Sequence, residues 1–164
     1  MARCYLGLGS NLGDRADAVR QSADLIAAGG DIVLRRLSSL YVTKPWGNRD
    51  QPDFVNAVAE IETLLGPGEL LARAKSIENE MGREKRERWG PREIDIDLLL
   101  YDEEVVETPE LRIPHPGIEK RAFVLVPLLE LAPDIAHPAT GRRFAESLEE
   151  LTSSGEVTWE KLTT

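Results

Sequence analysis

The sequence predicts an α+β fold: a mainly antiparallel sheet with flanking helices. Three observations predict it. Apolar and polar residues alternate along "DFVNAVAEIET", the period of a half-buried strand. Apolar residues recur at helical spacing along "GPGELLARAKSIENEM" and in the segment that follows Asp14. The segments run strand, helix, strand, strand, helix, strand, with additions after them. That order fits the split βαβ, ferredoxin-like plan, an α/β sandwich with helices on one face of the sheet. The chain of 164 residues is expected to form a single domain, 1–164, long enough to bury about 70% of its unfolded surface.

Each element has its own signals. "RCYLGLGS" is a short strand that enters a glycine turn. Asp14 is placed to cap the next helix, with Asp17 in its first turn. Ala18, Val19, Ser22, Leu25 and Ile26 give that helix one face, and Gly29-Gly30 ends it. "DIVLRRLSSLYVT" is a second strand region, and the polar loop "KPWGNRDQP" follows. In the alternating strand, Phe54, Asn56, Val58, Glu60 and Glu62 share one face; Val55, Ala57, Ala59 and Ile61 share the other. Leu70, Leu71, Ala74, Ile77 and Met81 form the apolar side of the second helix, with Glu78 at its edge. "EIDIDLLLY" is a strand and "DEEVVETPEL" a hairpin return. "RAFVLVPLLELAP" reads as a buried helix with Pro127 near its first turn, "RRFAESLEELTSS" as a further helix and "EVTWEKL" as a last strand.

Composition narrows the function classes. The net charge is −9, from 29 acidic and 20 basic residues, which argues against nucleic acid and anionic membrane as partners. No apolar run approaches the ~20 residues of a membrane span. One cysteine, Cys4, allows no internal disulfide. A cytoplasmic monomer acting on small molecules is expected. The basic residues cluster locally in "REKRERWGPR", Arg83 to Arg92, which suggests a compact anionic ligand.

Directly after that cluster, Asp95 and Asp97 interrupt the most apolar run of the chain. Alternation sends Ile94, Ile96, Leu98 and Leu100 to a core face and both aspartates to the other, ~6.5–7 Å apart at their α-carbons. A face simply open to water would tolerate them. However, Asp is a poor strand former, and two carboxylates beside an arginine cluster suit Mg²⁺ bridging to phosphate. "GLGSNLG" lacks the third glycine of a dinucleotide fingerprint, there is no Walker phosphate loop, and a tight strand-to-helix turn accounts for its glycines. His115, between prolines in "IPHPGI", is either structural or a donor to phosphate. Trp89 is either a packing anchor or a lid. Phe54 and Asn56 are either a half-buried sheet face or a stacking ring with an amide that reads a heterocycle edge.

Four segments, "YLGLGSNLGDR", "YVTKPWGNRDQPDFVNAV", "GREKRERWGPREIDIDLLLY" and "IPHPGIEKRAFVLVPLLELAPD", resemble 6-hydroxymethyl-7,8-dihydropterin pyrophosphokinases, in order from about Tyr5 to Asp134. The resemblance implies transfer of pyrophosphate from ATP to the hydroxymethyl group of the reduced pterin, with release of AMP, in folate biosynthesis. It implies two Mg²⁺ ions held by Asp95 and Asp97, with ATP as co-substrate. Arg92, Lys85 and Arg83 would be phosphate-binding arms, with Arg92 and Arg83 catalytic alongside the aspartates. Glu78, Leu98, His115 and Arg121 would contact nucleotide or phosphate, and Trp89 would close over the site. Phe54 and Phe123 would sandwich the pterin, with Asn56 and the backbone at Thr43, Pro45 and Trp46 reading its edge. Phe54 stands where many members carry tyrosine. Two rivals are a ligand-binding regulatory module without chemistry and a metal-dependent nuclease.

Overall fold

The computed structural model describes residues 1–10, 14–45, 53–83, 94–153 and 157–162. The strands and helices run β1 (Ala2–Ser10), α1 (Arg15–Ala28), β2 (Ile32–Leu37), β3 (Tyr41–Pro45), β4 (Phe54–Thr63), α2 (Pro67–Arg83), β5 (Asp95–Tyr101), β6 (Val106–Glu107), β7 (Arg112–Ile113), α3 (Ala122–Leu131), α4 (Phe144–Ser153) and β8 (Val157–Lys161). A short 3₁₀ turn, Ile118–Lys120, precedes α3. The main sheet orders as β5-β1-β4-β3-β8, with β2 also paired to β4. All of its pairings are antiparallel. The hairpin β6–β7 forms a separate two-stranded sheet.

Local signals explain the boundaries. Asp14 caps α1 by accepting from the Asp17 N–H at 3.1 Å, and Gly30 leaves the helix with φ +81°. The second strand region divides at Ser38: its N–H donates to the Val58 carbonyl and its hydroxyl accepts from the Val58 N–H, both at 2.9 Å. Residues on either side of that break therefore pair in turn with one edge of β4. Gly7 and Gly9 are not a turn, contrary to the sequence expectation. They lie inside β1, paired to β4 on one edge and β5 on the other. β1 continues through both glycines to Ser10.

The alternation in β4 separates two cores. Val55, Ala57, Ala59 and Ile61 join Leu6, Leu8, Ile96 and Leu98 under α1 and α2, through Val19, Ile26, Leu70 and Ile77. Val58 joins Tyr5, Leu99 and Leu100 under α3 and α4, through Leu125, Leu128 and Phe144. Helices thus cover both faces, where the ferredoxin-like order predicted one. The reason is α3, which is apolar but for Glu130 and buries most of its surface against the second core. Pro127 lies in the middle of that helix rather than near its first turn, so it has no N–H to offer the Phe123 carbonyl.

The parity expected along β5 also fails at one point. The register with β1 shifts between Tyr5 and Leu6, so Leu98 pairs with Leu6 but Leu100 pairs with Tyr5. This bulge sends Leu100 to the α3 side beside Leu99, and returns Tyr101 to the side of Leu98. The aspartates precede the bulge and keep their expected face. Glu60, buried in the second core, accepts from Tyr5 at 3.2 Å and Arg36 at 2.7 Å, so its charge is paired. Cys4 is fully buried, and burial pushes its thiol up to about 12, helped by Asp102 and Glu104. It is an inert core residue.

α3 also grips β3. Glu130 accepts from the Tyr41 hydroxyl and, at 2.9 Å, from the Ser39 N–H. Burial opposes the charge on Glu130, but these donors prevail and hold its carboxyl below the usual 4.5. A depressed carboxyl contributes stability above its unfolded value, and that stability is lost as pH falls through the folded value. Glu130→Gln should therefore melt below the wild type at pH 7, with the gap closing as pH drops under 4.5. A gap that stays constant with pH would show that the charge does not matter.

Candidate active site

The site begins with alternation on three adjacent strands. On β5, Asp95 and Asp97 are half-buried and share a face with Leu99. On β4, Phe54 and Asn56 share that face with Val58. Between them runs β1, where Gly9 pairs with both Asn56 and Asp95, and Gly7 with both Val58 and Asp97. Tyr41 of β3 extends the first row by pairing with Asn56. A row therefore crosses the sheet as Tyr41, Asn56, Gly9, Asp95. Two strand spacings put Asn56 and Asp95 about 10 Å apart, with no side chain between them.

The open edge of β5 is closed by side chain and loop. Glu78 of α2 accepts from the Ile96 N–H at 2.8 Å, between the two aspartates. The His115 N–H donates to the Leu99 carbonyl at 3.0 Å. Here lies a cleft of about 390 Å³, lined by Lys75, Glu78, Asp95, Asp97, Leu98 and His115 among others. Sequence reasoning gave Glu78 a ligand contact; the structure adds a structural one, an anchor for the strand that bears the aspartates.

His115 accepts from the Gly117 N–H at Nδ1, 3.1 Å away, so the neutral ring carries its proton on Nε2. Burial pushes its pKa below the ordinary value; Asp97 opposes this and Arg121 adds to it. The imidazole is thus a neutral Nε2–H donor facing the cleft. Arg121 stands over the Phe123 ring, its guanidinium carbon 5.6 Å from the centroid. Phe123 packs on the second core, the same side of the sheet as Phe54. Arg15 donates to the carbonyl of Asp53, pinning the residue that precedes Phe54. Asn56 is only 5% exposed, yet its Nδ2 has no hydrogen-bond partner among the described residues. A buried amide with an unmet donor signals a missing ligand acceptor.

The structure thus brings together Asp95, Asp97, Glu78, Leu98 and His115 at the cleft, and Phe54, Asn56 and Phe123 on the same side of the sheet. Lys85, Trp89, Arg92 and Trp46 lie outside the described residues. Arg83 ends α2, and Thr43 and Pro45 belong to β3, placed by backbone alone. Sequence reasoning missed Arg112 and Leu111, which the β6–β7 hairpin brings to the cleft wall; no periodicity in so short a hairpin says which way it packs. It also missed the bare floor of β1, whose signal was two glycines at strand period. Among the described residues, no three His, Cys, Asp or Glu side chains gather to hold a metal alone. Two carboxylates on one strand fit Mg²⁺, which takes one or two carboxylates and completes its shell with phosphate and water.

The model of the 7,8-dihydro-6-hydroxymethylpterin-pyrophosphokinase (HPPK) family matches residues 5–133. A 2-amino-4-hydroxy-6-hydroxymethyldihydropteridine pyrophosphokinase of Aquifex aeolicus is 46% identical over 138 residues, 84% of this chain and 85% of that one. The Bacillus subtilis protein of the same name is 44% identical over 136 residues, 83% of this chain and 81% of its own. Among solved structures, an HPPK-DHPS in complex with substrates superposes with a TM-score of 0.73 at 13% identity, covering 94% of this chain. The present chain spans 44% of that longer one, a likeness of fold alone. With a matching family model over most of its length and relatives this similar along nearly their whole chains, the protein is a member of the HPPK family.

Proposed function

We propose that this sheet face carries out the family's reaction: transfer of pyrophosphate from ATP to the hydroxymethyl group of 6-hydroxymethyl-7,8-dihydropterin, releasing AMP. The observation that supports it most is the row Asn56–Gly9–Asp95. It sets an amide with an unmet donor at one end and a metal-binding carboxylate at the other, across a floor wide enough for a flat bicyclic ring. The strand order β5-β1-β4 with β2 and β3 beyond, joined through α1 and α2, supports reading the chain as one domain with a ferredoxin-like core, to which α3, α4 and β8 are added. Among the described residues, no helix is long and apolar enough to cross a membrane.

Phe54 and Phe123 hold the ring by its faces, and the Asn56 amide pairs with its edge. Asp95 and Asp97 would hold two Mg²⁺ ions, which would supply positive charge to the phosphates of ATP. The Nε2–H of His115 and the guanidinium of Arg121 donate to phosphate, and Glu78 keeps the aspartate strand in register. Arg92, Lys85 and Arg83, with Trp89 as cover, complete the positive side. The hydroxymethyl oxygen bonds to the β-phosphorus, the bond from that phosphorus to the oxygen bridging to the α-phosphate breaks, and AMP leaves with that oxygen. The hydroxyl proton passes to water. Positioning and charge supply the rate, as in phosphoryl transfer generally.

AMP counted from Mg-ATP with and without hydroxymethyl-dihydropterin tests the reaction. Heterocycle-dependent AMP is expected; AMP production indifferent to the pterin would overturn it. Asp95→Ala and Asp97→Ala should each lower that rate about a thousandfold or more, several kcal/mol of charge stabilisation, while the protein stays folded. Wild-type turnover in either would sink the metal assignment. Phe123→Ala should weaken pterin binding about tenfold through the lost stack and leave the ATP affinity unchanged. Equal losses for both ligands would argue against the stack.

A further inference from the structure

The floor of the site needs its own explanation. Glycine inside a strand weakens it, because it packs no side chain and loses the most chain entropy. β1 bears that cost inside the sheet, where it is paired on both edges. Backbone geometry does not require glycine at Gly9, which is absent from the positive-φ residues among those described, Asp102, Gly30 and Gly141. Space does. A β-carbon at Gly9 would stand 2.7 Å from Asn56 Oδ1, and 3.7 Å from the Phe54 ring. At Gly7 the same atom would meet nothing nearer than Leu99, at an ordinary 3.4 Å. The Asn56 amide therefore leans over β1 into the volume that a side chain at Gly9 would fill, and its Nδ2 has no partner there among the described residues.

We propose that Gly9 is a specificity-determining residue: its missing side chain lets the Asn56 amide lie over β1, in line with Asp95, and so sets where the heterocycle edge is read relative to the reacting phosphate. This rests on the proposed pyrophosphokinase reading of the site. Gly9 touches neither ATP nor metal; it acts through Asn56 and the ring that lies on it. The effect of filling it must then fall on the pterin and not on the nucleotide.

The test is Gly9→Ala, measured by calorimetry with the pterin and with a non-hydrolysable ATP analogue, and by steady-state kinetics. The pterin Kd and KM should rise about tenfold or more, while ATP-analogue affinity changes less than about twofold. In the Gly9→Ala/Asn56→Ala double variant the methyl no longer meets an amide, so pterin affinity should match that of Asn56→Ala alone. Unchanged pterin affinity in Gly9→Ala, an equal loss of ATP affinity, or additive losses in the double variant would each overturn the proposal. Should Gly9→Ala not fold, the double variant should; a double variant that also fails to fold shows crowding elsewhere and overturns it too. Wild-type protein that neither binds the pterin nor releases AMP in its presence would remove the functional reading itself, and is told apart by needing no variant.

Discussion

β1 hydrogen-bonds to β4 along one edge and to β5 along the other, and the site depends on that double pairing. It brings Asn56 and Asp95, far apart in sequence, into one row. It fixes the distance between them by strand spacing rather than by flexible side chains. A site built on strands holds its groups more tightly than one built on loops. The bare stretch at Gly7 and Gly9 then becomes usable surface. The same pairing is held from outside, because Glu78 and His115 satisfy the free edge of β5 at Ile96 and Leu99. Without those bonds β5 would be an unprotected edge strand.

One face of the sheet does two jobs along its length. At the end of Asp95, Asp97, Phe54 and Asn56 it carries the residues proposed to bind ligand. At the end of Tyr5, Val58, Leu99 and Leu100 it is the floor of a core closed by α3 and α4. The bulge in β5 is the hinge between these roles. By turning Leu100 onto the α3 side it puts two adjacent leucines beneath that helix, directly after the aspartates. α3 in turn carries Phe123 at its site end and Glu130 at its other end, so one rigid helix spans from the ring site to the clamp on Tyr41. Tyr41 is paired to Asn56, which links that clamp to the row of Asn56, Gly9 and Asp95.

The charge distribution follows the same division. Glu60 and Glu62 lie on the face of Phe54 but at the far end of β4, where Arg3, Arg35 and Arg36 neutralise them. The other end carries Asp95 and Asp97, with Lys75, Arg112 and Arg121 near the cleft. On a chain with a net charge of −9, these cations make the potential beside the two aspartates less negative.

Alternation alone determined which residues of β4, and of β5 before its bulge, share a face, since a period of two needs no tertiary partner to be read. The cap at Asp14, the helix of α2 and the joint orientation of Asp95 and Asp97 were legible for the same reason: each depends on neighbours within a few residues. The resemblance carried by "RWGPREIDID" and "IPHP" supplied the chemistry that pattern alone left open. Tertiary structure decided the rest. Nothing in "DLLLY" marks a bulge, because the bulge arises from its pairing with Tyr5 and Leu6. Nothing in "GLGS" tells a turn from a bare strand, because that depends on whether Asn56 and Asp95 stand across from Gly9. The second helical layer follows from where α3 finds a surface to bury. Local periodicity sets the direction of each side chain; only the pairing of distant strands decides what it points at.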